Sequence, residues 1–325
     1  MLKRRFLKTV RLTSALLLSV VFAGHAALAQ AQTASDKHES ERSDKLTGGR
    51  IEQAELVADE PDIRLTLNVP SFRLTMWQNG KEVKSYWVGV GMKQYPIYIG
   101  EREATQVIWN PSWIPPSSDW VKESKGIKPG EIIKASDPRN PLGKLKIPLG
   151  DAYLIHQAAK STDPGNLVSH GCVRVLRADL YDLGERIVAA RSVPLSRKKI
   201  EAAKRGSRQL VAELGEPIPV DINYDTLVVE GGVLHIYPDV YDRGTNTVAR
   251  LRAELESSGV QASALDERTL RRMLARAKGH MQFVVEVRSI EEDRALTEGR
   301  AIPVIGRPAV KKPATRKRAV ANTRQ

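Results

Sequence analysis

Between residues 65 and 90, apolar and polar positions alternate in three short runs: Leu65, Leu67 and Val69, then Phe72, Leu74 and Met76, then residues 83–90. A period of two puts every second side chain on one face, as in a half-buried strand. Asn79-Gly80 precedes the third run, and this pair suits the positive φ angles of a type I′ hairpin turn. The pattern predicts strand, strand, hairpin, strand. Across residues 95–150 prolines and glycines recur too often for long elements, so loops laid over a scaffold are expected. Trp109, Trp113 and Trp120 read as anchors of those loops, with a cleft wall as the alternative. Residues 151–157 read as a short strand and 169–175 as a turn running into another.

The period then lengthens. Asp179, Leu180, Leu183 and Ile187 predict a capped amphipathic helix, and residues 200–214 a second with its charges on one side. β pattern returns at 217–224, 226–229 and 233–237, with Gly231-Gly232 as a turn. Val248, Leu251 and Leu255 predict a third helix. Leu270, Met273, Leu274 and Ala277 predict a fourth, started by Asp266 and stopped by Gly279. Met281, Phe283, Val285 and Val287 alternate as a last strand. The fold class expected is α+β, mainly β: a β-rich domain over residues 61–190, then a small helical and β extension over 191–305.

The two ends follow neither period. Lys3, Arg4, Arg5, Lys8 and Arg11 precede an apolar run over 12–24 and then Ala27-Leu28-Ala29, the pattern of a signal peptide over 1–29 cleaved before Gln30. An exported protein is expected. Residues 30–60 read as a disordered linker and 306–325 as a disordered basic tail. The formal net charge is +13. Removing five positive charges for residues 1–29 and seven for 307–325 leaves +1 for the rest. A nearly neutral folded part without a nucleic-acid-reading motif excludes nucleic acid as partner. For the basic tail, a solvated terminus competes with contact to an anionic wall or membrane surface.

With one cysteine in 325 residues, no intramolecular disulfide can form. An unpaired thiol is a liability outside the cytoplasm, so Cys172 is either buried and inert or kept because it reacts. It lies in Ser169-His170-Gly171-Cys172-Val173-Arg174, with His156 on the preceding predicted strand. A nucleophilic thiol needs a base or a positive charge close by, which His156, His170 and Arg174 supply. Gly171 lets the backbone approach a substrate carbonyl and turn an N–H toward a developing oxyanion. Two alternatives stand beside the nucleophile: a core thiol with satisfied histidines, and a His₂Cys zinc site from His156, His170 and Cys172.

The Ser-His-Gly-Cys-Val-Arg motif with its upstream Ile155-His156 resembles the catalytic signature of the YkuD-type L,D-transpeptidases. The 16-residue separation of His156 from Cys172 suits that family. Asn110-Pro111-Ser112-Trp113 and Asn140-Pro141-Leu142-Gly143 resemble two of its loops. The likeness covers about residues 62–190, and residues 219–239 with Tyr241 resemble the extra strands of the Gram-negative ErfK/YbiS-like branch. It implies a β-sandwich-like catalytic domain acting on peptidoglycan stem peptides in the periplasm, in association with the cell wall, and needing no metal or organic cofactor.

The resemblance also implies roles. Cys172 would attack the carbonyl of the third residue of a tetrapeptide stem, usually meso-diaminopimelate, releasing the terminal D-Ala. His156 would take and return the protons. Gln157 would orient His156 through its backbone carbonyl. His170 and Gly171 would shape the oxyanion site with the Cys172 N–H. Arg174 would hold the motif or steer stem carboxylates, and Ser169 would hydrogen-bond within the loop. The family usually has Gly where Gln157 stands, so this side chain could narrow the acceptor channel. The acceptor expected is the amine of another stem, giving a 3→3 cross-link, or a lysine of an outer-membrane lipoprotein. Water would make the protein an L,D-carboxypeptidase, and an idle motif would leave a wall-binding protein.

Overall fold

The computed structural model describes residues 62–306. The expected signal peptide over 1–29, the linker over 30–60 and, but for Gly306, the tail over 306–325 lie outside the described residues.

Three strands, β1 (Ile63–Asn68), β2 (Arg73–Gln78) and β3 (Lys81–Gly91), open the fold. Asn79 and Gly80 between β2 and β3 both have positive φ, 50° and 71°, as a type I′ turn requires. The chain continues through β4 (Gly100–Trp109), α1 (Asp119–Lys122), β5 (Leu145–Pro148), β6 (Leu154–Gln157), β7 (Leu167–Ser169) and β8 (Val173–Val175). Two helices, α2 (Arg177–Ala190) and α3 (Arg197–Arg205), lead into the long strand β9 (Leu210–Asn223). The strand order is β2-β1-β9-β4-β5-β6-β8-β3-β7, and β2 also pairs with β3. The sheet therefore closes on itself. Strand β3 makes this possible: residues 81–87 pair with β2, while Val88 and Gly89 pair with β8.

The main core fills the inside of this sheet, with Leu65, Leu74, Tyr86, Val107, Ile155 and Val173 all at most 2% exposed. Helix α2 closes the core across β4, β5 and β6. Gly184 permits the approach, because a Cβ there would lie 2.9 Å from Leu145 Cδ1.

A second core lies beyond residue 226. Strands β10 (Leu227–Glu230), β11 (Val233–Ile236), β12 (Met281–Glu286) and β13 (Arg300–Pro303) form an antiparallel sheet in that order. Helices α4 (Val248–Ser257), α5 (Glu267–Leu274), α6 (Val287–Glu291) and α7 (Ala295–Glu298) accompany it. Leu234, Leu251, Leu255, Leu270, Met273 and Phe283 are buried together there. Asp266 caps α5 by accepting a hydrogen bond from the Thr269 N–H.

Four sequence expectations are corrected. The helix expected over 200–214 ends at Arg205, because Gly206 stops it and from Leu210 the chain alternates in and out as β9 along β4. That strand sits inside the large sheet, so the extension expected over 191–305 begins in effect after Asn223. The Pro/Gly-rich stretch holds the ten-residue strand β4, whose exposed face carries Glu101 and Glu103. β12 is followed by a further strand, β13, whose four residues are all exposed. Among the described residues no helix is long and apolar enough to cross a membrane.

Candidate active site

Strands β6 and β8 run parallel, with Ile155 opposite Val173 and His156 opposite Arg174. Side chains alternate along a strand, so residues facing each other across the ladder share a side. Ile155, Val173 and Val175 point into the core. Leu154, His156 and Arg174 therefore occupy the other face, with Cys172 level with Leu154 just before β8 begins. The partly exposed Cys172 Sγ faces the Ala152 carbonyl at 4.0 Å.

Gly171 sets the turn into the cysteine. Its φ is +104°, and a Cβ would lie 2.9 Å from Tyr153 Cε1, so only glycine fits without displacement. The Ser169 hydroxyl donates to the Cys172 carbonyl at 2.5 Å, and the Met92 N–H donates to the Ser169 carbonyl at 2.8 Å. These two bonds tie the motif to itself and to the end of β3. The Tyr241 hydroxyl, from beyond the second sheet's first hairpin, donates to the Gly91 carbonyl and accepts from the Ile97 N–H, fixing the segment that runs beneath the motif.

Arg174 reaches the carboxylate of Asp163 at 3.3 Å. Asp163 is 4% exposed and also accepts from the Ala159 and Lys160 N–H groups. The Asp163 turn is held in its own right: Gly165 donates its N–H to the Val88 carbonyl, and Ile305 packs directly on Gly165. Val304 beside it is buried in the main core. The segment that follows β13 thus braces the loop that holds Arg174.

His156 is 4% exposed, and burial pushes its pKa down to about 3, helped by the Arg174 charge. The Gln157 carbonyl favours the protonated ring, yet Nδ1 makes no hydrogen bond of ordinary geometry. Burial also pushes the Cys172 thiol up, against smaller opposing effects of the Leu154 backbone and Arg174. At neutral pH the resting pair is therefore thiol and neutral imidazole, with the proton still on sulfur. Such a pair acts by general base catalysis, the proton moving as the S–C bond forms.

The remaining sequence candidates fall into two groups. Gln157 points away from His156: its Oε1 accepts from the Lys144 N–H and Arg177 Nε, and the side chain packs on Gly143. His170 is exposed, its ring stacked on Trp120 at 4.2 Å and tilted against Tyr95 at 4.7 Å. Among the described residues no three His, Cys, Asp or Glu side chains converge as a metal site needs, so the His₂Cys alternative lacks its geometry. Trp120 also stacks on Trp113, which packs with Ile133 and Leu142, so the tryptophan loops anchor themselves and meet the motif at His170. Asp163, Tyr95, Tyr153 and Ile305 carry no local motif. Only the turn signal Asp163-Pro164-Gly165 could have drawn attention to the first.

Residues 62–199 match the family model of the YkuD L,D-transpeptidase catalytic domain. The probable L,D-transpeptidase YbiS of Escherichia coli K12 is 24% identical over 153 residues, covering 43% of this chain and 50% of the relative. The chain thus spans about half the length of the curated relatives it matches. Among solved structures, L,D-transpeptidase 1 of Mycobacterium tuberculosis aligns with a TM-score of 0.30 at 12% identity, over 49% of this chain and 60% of that one. The catalytic domain of the E. faecium L,D-transpeptidase aligns with a TM-score of 0.33 at 14% identity, over 50% and 98%. Residues 62–199, the stretch that matches this family model, lie in the β-rich part of the fold.

Proposed function

We propose that the protein is a cysteine-dependent peptidoglycan L,D-transpeptidase. The observation that carries this is the placement of Cys172 and His156 on one face of two adjacent parallel strands, next to a glycine turn only Gly171 can make. Cys172 Sγ attacks the carbonyl of the third stem residue while His156 takes the thiol proton. The negative charge collects on the carbonyl oxygen, where backbone N–H groups of residues 170–172 receive it. The C–N bond to D-Ala then breaks, His156 returns the proton to the leaving amine, and a thioester remains. An acceptor amine attacks the thioester, His156 takes its proton, and the thiol is restored.

The amine of a second stem gives a 3→3 cross-link, and a lipoprotein lysine gives covalent attachment to the wall. Export to the periplasm and contact of the basic tail with anionic wall or membrane surfaces belong to the same proposal. The matched family domain supports a stem-peptide substrate. Incubation of residues 30–325 with a disaccharide-tetrapeptide, with and without an amine acceptor, tests it. A dimeric 3→3 product is expected. Tripeptide alone, whatever the acceptor, would make the protein an L,D-carboxypeptidase using the same cysteine.

A further inference from the structure

Strand β5 lies against β6 on the side away from β8, and its register sets Lys146 directly opposite His156. Strand order and pairing therefore place Arg174, His156 and Lys146 in one row across three neighbouring strands, on the same face. The two flanking cations differ. Arg174 is neutralised by Asp163, whereas Lys146 makes no ion pair or side-chain hydrogen bond among the described residues. Its other neighbour across the ladder is Ile108, 7% exposed, which offers no charge or hydrogen bond. A half-buried ammonium without an acceptor is costly in a resting protein. Desolvation alone lowers its pKa, with no charge nearby to compensate.

We propose that Lys146 is a carboxylate-binding residue of the same site, anchoring a free carboxylate of the donor stem beside His156. The proposal rests on the peptidoglycan reading above and adds the group that meets the anion. Two strand spacings and a two-residue offset separate the Cys172 and Lys146 Cα atoms by about 11–12 Å. Bent along the sheet toward His156, the four-carbon stem covers at most about 6 Å of that distance. An ammonium there meets a carboxylate some 6 Å from the scissile carbonyl, which suits the side-chain carboxylate of a diamino-acid third residue. The terminal D-Ala carboxylate, closer to the scissile bond, is the second source of the same chemistry. Arg174, tied to Asp163, is left to hold the motif.

The test pairs Lys146→Met, which keeps the stem and removes the charge, with stems amidated at one carboxylate at a time. Binding is measured on Cys172→Ala protein so that no turnover is needed, and steady-state kinetics on the protein with Cys172 intact. Lys146→Met is expected to weaken tetrapeptide binding about tenfold, raising KM and leaving kcat within twofold. Amidating the anchored carboxylate should cost the Lys146 protein the same factor and the Met variant nothing, and Lys146→Arg should restore part of the loss. Sensitivity to side-chain amidation identifies the third residue as the source, and sensitivity to C-terminal amidation identifies D-Ala. Equal losses on free and amidated stems, or unchanged binding by Lys146→Met while unmutated protein forms its thioester, overturn the proposal and leave the catalytic assignment standing. Absence of a thioester with Lys146-dependent binding intact would do the reverse.

Discussion

Replacing His156 with Gln should make the fold less sensitive to acid. The unfolded chain protonates this ring near 6.5, whereas the native state, which buries it, resists until about 3. Between those values the unfolded state holds more protons, so stability falls as pH falls through the window and is fully present above 6.5. From pH 7.5 to 4.5 the linkage removes about 2.5–3 kcal/mol, and the whole window approaches about 5 kcal/mol. Carboxylates held below their usual range, such as Asp182 beside Arg186, Tyr86 and Lys84, also lose stability in acid. They do so equally in both proteins and drop out of the difference. Urea unfolding of wild type and His156→Gln at the two pH values should show the wild type losing about 2–3 kcal/mol more than the variant. Equal losses would mean that His156 titrates as an exposed histidine, and the buried neutral base would be wrong.

Alkylation of Cys172 by iodoacetamide should rise steadily from pH 7 to 9.5, because burial keeps the thiol protonated; a plateau between pH 6 and 8 would reveal a resting thiolate. Gly171→Ala places a Cβ 2.9 Å from the Tyr153 ring at a positive φ, so it should cost about 1–3 kcal/mol and most of the activity. An unchanged Tm with full turnover would refute the tight turn. Ile305→Asp should loosen the Asp163 loop, lowering Tm and turnover together, while Ile302→Asp at the exposed β13 position leaves both as they are; matching effects of the two would remove the brace.

How much was legible depended on whether a signal was local. β1 to β3 were readable because their alternation is clean and Asn79-Gly80 can hardly serve another turn. The end of β9 was readable from the β pattern over 217–224, but its start was misread because Leu210 to Leu214 satisfies either period, and only its pairing with β4 decides between them. β4 was hidden by Glu101, Arg102 and Glu103 just after a glycine, although the two glutamates simply face outward and Arg102, on the other face, packs over Tyr98 and Tyr153. At the site, Gly171 and Cys172 stand in a compact motif, and His156 was found through its spacing from that motif. Asp163, Trp120 and Lys146 reach it only through strand order and loop packing, which no short window contains. The same packing stacks the His170 ring on Trp120, a contact the motif alone does not reveal.

Intact-mass spectrometry of residues 30–325 mixed with a disaccharide-tetrapeptide, beside Cys172→Ala and His156→Gln, tests the central claim most directly. A transient adduct equal to the stem less D-Ala should appear on the wild type and be absent from Cys172→Ala, and His156→Gln should form it far more slowly. The same adduct on Cys172→Ala would contradict the account.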